Sequence, residues 1–214
     1  MGRITIRADG TWAATSRPAE RSTVRIILAS ASPRRLELLQ SLKLDVRVEP
    51  SSYSEPDRAN LTPRELAIEH AHHKCEHVAA RFPHELVVAA DTVVDLNGVA
   101  YNKPRDAADA RRMLNELSGR THVVHTAFEI RANGKTEAAC ESTRVTFFSL
   151  EPEEIAAYVA TGEPLDKAGA YGIQGYGATL VERIEGDFYT VMGFPLGRFV
   201  RTLRRLGFPV PITK

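Results

Sequence analysis

The sequence places two arginines where a helix normally disfavours positive charge. An apolar run suited to a buried strand, residues 24–29, leads into a serine-rich turn. Ser32 is a suitable helix N-cap and Pro33 fits the first helical position. Arg34 and Arg35 then fall in the first turn, where the helix dipole disfavours a cation by roughly 0.3–1 kcal/mol. Bound phosphate accounts for both cations, and a solvated helix start with outward arginines is the alternative.

A carboxylate interrupts an otherwise apolar strand. Residues 86–94 are apolar except for Asp91 and Thr92. Burial of a carboxylate is costly unless it is paired, protonated or bound to a metal. Magnesium prefers one or two carboxylates together with substrate phosphates. Asp91 is therefore a candidate general base or magnesium ligand, and the alternative is a structural aspartate bonded to a neighbouring turn.

Two lysines give weaker signals. Lys103 precedes Pro104, which favours an extended backbone, but a lysine at such a position is ordinarily solvated surface. Lys74 projects beside the apolar stripe of a predicted helix. A snorkelling side chain is its default interpretation, and the alternative is a charge directed at bound phosphate.

A glycine-rich segment, residues 167–175, carries a cation and an amide. Glycines permit a ligand to approach the backbone closely, and Lys167 supplies positive charge. The amide of Gln174 both donates and accepts hydrogen bonds, as the edge of a pyrimidine base requires. A mobile loop with incidental polar residues is the alternative.

Three histidines follow helical spacing without completing a known metal motif. His73 and His77 have the spacing of some zinc sites, but no glutamate follows His73 directly. We expect these two residues and His70 to form a solvated polar face.

Periodicity and turn signals define the elements that position these groups. Helices are predicted at 33–42, 62–81, 106–117, 152–160 and 196–206, and strands at 24–29, 46–48, 85–94, 123–130, 143–148 and 179–184. Asn97-Gly98 and Asn133-Gly134 are hairpin signals, and some bulging is expected in the second pair. The mixed order favours an α/β fold with a mixed sheet over a doubly wound parallel sheet.

Composition narrows the classes of function. The 214 residues fit one domain, or two small lobes that share a cleft, and 43% hydrophobic with 26% charged residues is ordinary for a globular protein. A formal net charge of +1 argues against a duplex nucleic-acid partner. Two cysteines, too few for a disulfide framework, indicate a reducing, cytoplasmic compartment. No apolar run is long enough to span a membrane. Residues 1–23 are expected to be a flexible extension, with a transit peptide as the alternative.

Taken together, the motifs resemble the Maf family of nucleotide pyrophosphatases from about Ile26 to Leu206. The resemblance is carried by residues 28–35, 90–92, 102–104, 117–120 and 167–175, which read LASASPRR, ADT, NKP, LSGR and KAGAYGIQG. It implies an elongated mixed β-sheet with flanking helices and two lobes around a central cleft, as in ITPase-like proteins. It also implies a Maf-like domain over 24–214 and a homodimer.

The same resemblance implies hydrolysis of a nucleoside triphosphate to the monophosphate and pyrophosphate, with Mg²⁺ or another divalent cation such as Mn²⁺. Asp91 would be the catalytic base, and Asp91 and Glu55 would hold the metal. The substrate-binding residues would be Ser30, Arg34, Arg35, Lys74, Thr92, Lys103, Lys167 and Gln174. Of these, Arg34, Thr92 and Gln174 fall where the family distinguishes its substrate classes.

Residues 90–92 and 173–175 are similar to the branch acting on dTTP and UTP, and modified pyrimidine nucleotides are included in this expectation. The chain departs from the family pattern at Tyr101-Asn102, Phe194-Pro195 and Ser54, which bear on the substrate range and on the second metal ligand. The alternatives are a pyrophosphatase for 7-methyl-GTP or other non-standard nucleotides, a non-hydrolytic nucleotide-binding regulator of cell division, and a nucleic-acid-binding module.

Overall fold

The computed structural model describes residues 4–6, 12–14, 24–56, 58 and 60–210. Two short N-terminal strands, β1 (Ile4–Ile6) and β2 (Trp12–Ala14), pair antiparallel. The other residues of the predicted extension, 1–23, lie outside the described part of the chain. The domain boundary at residue 24 stays a prediction.

Seven strands form one mixed sheet. In chain order they are β3 (Arg25–Leu28), β4 (Asp45–Val48), β5 (Val87–Leu96), β6 (Val99–Tyr101), β7 (Thr121–Ala132), β8 (Lys135–Phe147) and β9 (Val181–Glu185). Their order in the sheet is β4-β3-β5-β7-β8-β9, and β6 pairs with β5. Strand β3 runs parallel to β4 and β5, whereas the remaining pairs are antiparallel. The predicted α/β fold with a mixed sheet is confirmed.

In the described part of the chain, six α-helices flank the sheet. They are α1 (Pro33–Ser41), α2 (Pro63–Ala79), α3 (Ala107–Leu117), α4 (Pro152–Ala160), α5 (Phe188–Met192) and α6 (Leu196–Arg205). Helix α2 begins with a capping box, in which Glu65 N–H donates to Thr62 Oγ1 and Thr62 N–H donates to Glu65 Oε2. Helix α5 was not predicted because its five residues are too few to display helical periodicity. The glycine-rich segment and the residues on either side of it form short 3₁₀ turns at Glu163–Asp166, Ala168–Ala170 and Gly175–Leu180.

The hairpin of β7 and β8 is longer than the sequence predicted. Asn133 and Gly134 both have positive φ, as a two-residue hairpin turn requires. The strands therefore pair up to the turn itself. The register is regular from Thr121↔Thr146 to Ala132↔Lys135. The expected bulging in this pair was therefore wrong, and the irregularity lies instead between β8 and β9, at Thr146 and Phe147.

Two hydrophobic cores lie along one face of the long strands. The first lobe packs around Phe128 and Phe199, beneath α1 and α6. The second lobe packs around Leu114 and Phe147, with α3 and α4. Helix α2 covers the opposite face, where Cys75 and its neighbours contact β3 and β5. These paired cores confirm the expected two lobes.

The described part of the chain contains no helix that is both long and apolar enough to cross a membrane.

The aromatic cluster of the first lobe gives a test of this packing. Phe199 is fully buried and stacks edge-on against Phe128 and Phe194. We expect Phe199→Ala to lower the free energy of unfolding by about 3–5 kcal/mol in urea denaturation, because it removes apolar contacts and leaves a cavity. Phe188, 38% exposed, is the matched control, and its alanine variant should lose less than about 1 kcal/mol. Equal losses would contradict this assignment of the core.

Candidate active site

The ten residues predicted to form a site line a single cleft between the two lobes. Its volume is about 570 Å³. The residues that share it are Ser30, Arg34, Arg35, Glu55, Lys74, Asp91, Thr92, Lys103, Lys167 and Gln174. They come from segments spread over most of the chain, so the tertiary fold brings together what the sequence separates.

The cleft exists because strand β5 is unpaired over part of one edge. On that side β3 pairs with β5 only as far as Val88, and β6 pairs with β5 only from Val94 to Leu96. On the other side β7 pairs continuously with β5 from Val87 to Asp95. Asp91 and Thr92 lie in the interval between β3 and β6. Since side chains alternate along a strand, these neighbours point to opposite faces of the sheet at the same opening.

Lys74 joins the two carboxylates of the predicted metal site. Its Nζ lies 2.6 Å from Asp91 Oδ1 and 2.5 Å from Glu55 Oε1. Lys74 and Asp91 are both buried, whereas the Glu55 side chain is half exposed. The default interpretation of Lys74 as a snorkelling side chain was therefore wrong. Two buried charges in direct contact satisfy the requirement that a buried carboxylate be paired.

The pKa of Glu55 is lowered by this arrangement. Burial of the carboxyl favours its neutral form, but the charge of Lys74, the hydrogen bond from Lys74 and the more distant His70 and Lys103 together outweigh burial. The Glu55 carboxylate is thus held ionised beside Asp91. The carboxylates of Glu55 and Asp91 therefore both contact the Lys74 ammonium.

Arg35 is fixed by uncharged partners on the other face of the sheet. Its Nε donates to the carbonyl of Gly193 at 2.9 Å, and its two terminal nitrogens donate to Ser30 Oγ and Thr92 Oγ1, each at 3.0 Å. Burial lowers the pKa of Arg35, although the charges of Asp91 and Glu55 act in the opposite direction. Among the residues that the structure describes, no carboxylate contacts this guanidinium, which makes an anion a favourable ligand.

A chain of hydroxyl groups supports Arg35 from behind. The single hydroxyl proton of Thr126 is donated to the carbonyl of Thr190 at 2.7 Å. The 3.0 Å bond between the hydroxyls of Thr92 and Thr126 must therefore be donated by Thr92. Thr92 is left with lone pairs for Arg35. The structure gives Thr92 this definite supporting contact, while its predicted part in substrate discrimination stays a prediction.

The remaining cations line different walls of the cleft. Arg34 is half-buried next to Arg35, and Lys103 is exposed at the rim. Lys167 Nζ donates to the carbonyl of Glu163 at 2.6 Å and to Asp166 Oδ1 at 2.7 Å. Gln174 is exposed on the glycine-rich segment. The cleft thus has a cationic wall at α1 and an amide on the opposite segment.

The expectation that the histidines form a solvated face was wrong for His70. This residue is buried, and its Nδ1 lies 3.4 Å from the hydroxyl of Tyr53, a further residue of the cleft wall. His77 contacts the hydroxyls of Ser51 and Ser52. The burial of His70 follows from tertiary packing of residues 51–55 on α2, for which the helical spacing of the histidines gives no signal.

His73 belongs to a separate surface group with His72 and Glu76. Their ligand-type atoms lie within 4.8 Å of one another. His72 Nδ1 also lies 2.8 Å from the buried carboxylate of Glu129, and Arg131 approaches Glu76 at 3.7 Å. These charges offset one another on the surface of α2, outside the cleft.

Sequence reasoning missed Glu163 and Tyr158. The carboxylate of Glu163 accepts hydrogen bonds from the hydroxyl of Tyr158 and from the backbone N–H groups of Tyr176 and Gly177. Main-chain partners carry no residue-type signal, so neither residue stood out in the sequence. The glycine at 177, which leaves space for Tyr158, is the only local hint.

Comparisons with known proteins identify similar sequences over most of the chain. The family model described as Maf-like protein matches residues 25–206. A protein named dTTP/UTP pyrophosphatase from Bacillus velezensis is 45% identical over 182 residues, which cover 85% of this chain and 96% of that protein. A protein of the same name from Methanosarcina mazei is 47% identical over 189 residues, covering 87% and 96%. A solved HAM1 protein from Coxiella burnetii has a TM-score of 0.46 at 18% identity, covering 74% of this chain and 81% of that one.

Removal of the Lys74 charge tests the buried contact. Lys74→Met leaves the Asp91 carboxylate buried without a cation, and we expect the free energy of unfolding to fall by about 3–5 kcal/mol at neutral pH. Combination with Asp91→Asn should recover part of that loss in urea denaturation, because no unpaired charge then remains at Asp91. Lys135→Met, at an exposed position, is the control. A double variant as unstable as the sum of the two single variants would contradict the coupling.

Proposed function

This chain belongs to the Maf family, and we propose that it hydrolyses nucleoside triphosphates, chiefly dTTP and UTP, to the monophosphate and pyrophosphate. One observation supports the proposal most directly: the buried carboxylate of Asp91 lines the same cleft as the cationic turn at Arg34 and Arg35. A triphosphate needs a cationic wall, and its hydrolysis needs a group that accepts a proton from water.

The phosphate groups would lie against the start of α1. Ser32 occupies the N-cap, yet its side chain makes no capping hydrogen bond with the described residues, and the first turn contains no acidic residue. By contrast, α2 is closed by the capping box of Thr62. The first N–H groups of α1 are therefore suited to an anion, together with Arg34 and the remaining donors of Arg35.

The base would lie toward the glycine-rich segment. Gln174 is exposed there and carries both a donor and acceptors, which matches the mixed edge of thymine or uracil. The substrate preference is further supported by the names of the two relatives, both dTTP/UTP pyrophosphatases. Modified pyrimidine nucleotides share the same edge and are included in the proposal.

The carboxylates of Asp91 and Glu55 fit a divalent cation. Hard oxygen donors are the ligands that Mg²⁺ prefers, and both carboxylates lie within 2.6 Å of Lys74 Nζ, so a cation held by both would displace the Lys74 ammonium from them. When bound, Mg²⁺ or Mn²⁺ would supply positive charge to the phosphate oxygens.

In the proposed reaction, Asp91 accepts a proton from the water that attacks the α-phosphorus. The new bond joins the water oxygen to that phosphorus, and the bond from the phosphorus to the bridging oxygen of the β-phosphate breaks. Arg34, Arg35 and Lys103 hold the phosphates and offset their charge. Catalysis then depends on positioning and electrostatics in a preformed cleft.

Two features of the proposal rest on the family resemblance and composition. We propose a homodimer, as the resemblance implies, and a cytoplasmic location, to which the free thiols of Cys75 and Cys140 are suited. No nucleic-acid partner is proposed because the net charge is only +1.

The role of Asp91 has a direct test. Asp91→Asn keeps the shape of the side chain but removes the base, and we expect kcat for dTTP to fall by ~10²–10⁴-fold with the protein still folded. Asp95→Asn is the matched control, since Asp95 lies on the same strand and face but bonds Gly98 and His125 outside the cleft. Near-normal turnover by Asp91→Asn would remove Asp91 from this role.

The bond that is cleaved and the preferred base can be measured together. Hydrolysis in ¹⁸O-water should place the label in the monophosphate, because the α-phosphorus is attacked. Steady-state kinetics over canonical, modified and 7-methylated triphosphates should give the highest kcat/KM for dTTP and UTP. Label found only in pyrophosphate would contradict the attack site. A bound triphosphate recovered intact with Mg²⁺ present would instead favour a regulator.

A further inference from the structure

We propose that Glu163 is a positioning residue that sets selectivity among nucleotide bases, an inference that rests on the proposed function. Glu163 begins the 3₁₀ turn after α4 and lines the cleft. It has no part in the proposed chemistry. Its effect would pass through the backbone of the segment that carries Gln174.

The carboxylate of Glu163 holds both ends of that segment. Oε2 accepts from Tyr176 N–H at 3.1 Å, and Oε1 accepts from Gly177 N–H at 3.2 Å. Oε1 also accepts from the hydroxyl of Tyr158 at 3.0 Å, and this hydroxyl in turn accepts from Gly172 N–H at 3.1 Å. Residues 172 and 176–177 are thus tied to one carboxylate, with Gln174 between them.

The packing of the segment leaves little room for another conformation. Gly175 has φ +64°, and a Cβ there would lie 2.8 Å from Glu163 Oε2. At Gly177 a Cβ would lie 2.3 Å from the carbonyl of Gly172 and 2.6 Å from the hydroxyl of Tyr158. Glycine is the residue that permits such close approach. The backbone around Gln174 is therefore shaped by its contacts with Glu163 and Tyr158.

Gln174 itself has no comparable anchor. Its side chain makes no hydrogen bond with any other residue that the structure describes, and it is exposed. The place of the amide in the cleft is therefore set by its backbone. The backbone carbonyl of Glu163 also accepts a hydrogen bond from the ammonium of Lys167. This contact is made by the backbone of Glu163, so a substitution of its side chain leaves the contact in place.

The chemistry of the contacts requires a carboxylate. The two carboxylate oxygens of Glu163 accept hydrogen bonds from two backbone N–H groups and one hydroxyl. A glutamine would turn its NH₂ group, itself a donor, toward at least one of these donors. A negative charge in the wall of a phosphate-binding cleft is unfavourable to an anionic substrate. Its presence there is accounted for by the three bonds that it accepts.

The test compares selectivity with turnover. We expect Glu163→Ala to lower the ratio of kcat/KM for dTTP to that for dGTP and dCTP at least tenfold, with kcat for dTTP within about threefold of the parent. Glu163→Gln should be intermediate, because its amide oxygen keeps part of the bonding. Tyr158→Phe, which removes the hydroxyl that joins Glu163 to Gly172, should also reduce the ratio. Glu153→Gln, exposed in α4, is the charge-matched control.

A second readout does not depend on catalysis. Hydrogen exchange of peptides spanning 172–177 should be at least tenfold faster in the Glu163 variants than in the control. An unchanged selectivity ratio, or an equal fall in kcat for every nucleotide, would overturn the positioning role and leave the proposed function standing. Absence of triphosphate hydrolysis by the parent protein would instead overturn the proposed function and, with it, this inference.

Discussion

The contact of Lys74 with Asp91 and Glu55 is the interaction on which the site depends. It joins helix α2, strand β5 and the segment after β4 at one point inside the cleft. Buried charges are tolerated only in close, well-formed contact, so all three elements must be held accurately. The phase of α2 meets this need, because Ala71, Lys74, Cys75 and Val78 form one buried stripe facing the sheet. The capping box at Thr62 fixes where the helix begins.

The alternation of side chains along strand β5 places Asp91 and Thr92 on opposite faces of the sheet. Asp91 points toward α2 and its lysine, while Thr92 points toward α1 and supports Arg35. A carboxylate and a guanidinium placed side by side on one face would neutralise each other by direct contact. Placed on opposite faces of an unpaired strand edge, both reach the same opening without forming a salt bridge. The gap between β3 and β6 therefore opens both faces of β5 into the same cleft.

Much of the fold was predictable because the strands and helices have local signals: apolar periodicity, N-caps such as Thr62, and the Asn-Gly turns. The membership of the site was predicted through the family resemblance, and all ten residues share one cleft. The predictions that were wrong or missing concern residues whose partners lie far away in the sequence. The burial of Lys74 arises from carboxylates 17 and 19 residues away in the chain, and His70 is covered by residues 51–55. Glu163 bonds backbone amides, for which no side-chain pattern exists.

The connection between the lobes limits how the cleft can move. Strands β5 and β7 pair without interruption from Val87↔Arg131 to Asp95↔Val123, across the boundary between the two cores. A hinge motion of whole lobes would have to break or bend this ladder, which is costly when its hydrogen bonds are buried. The glycine-rich segment has no strand pairing of its own across residues 167–177. In the proposed function this segment contacts the base, and its bonds to Glu163 and Tyr158 restrict its conformation, while the β5 ladder keeps Asp91 and Thr92 in place.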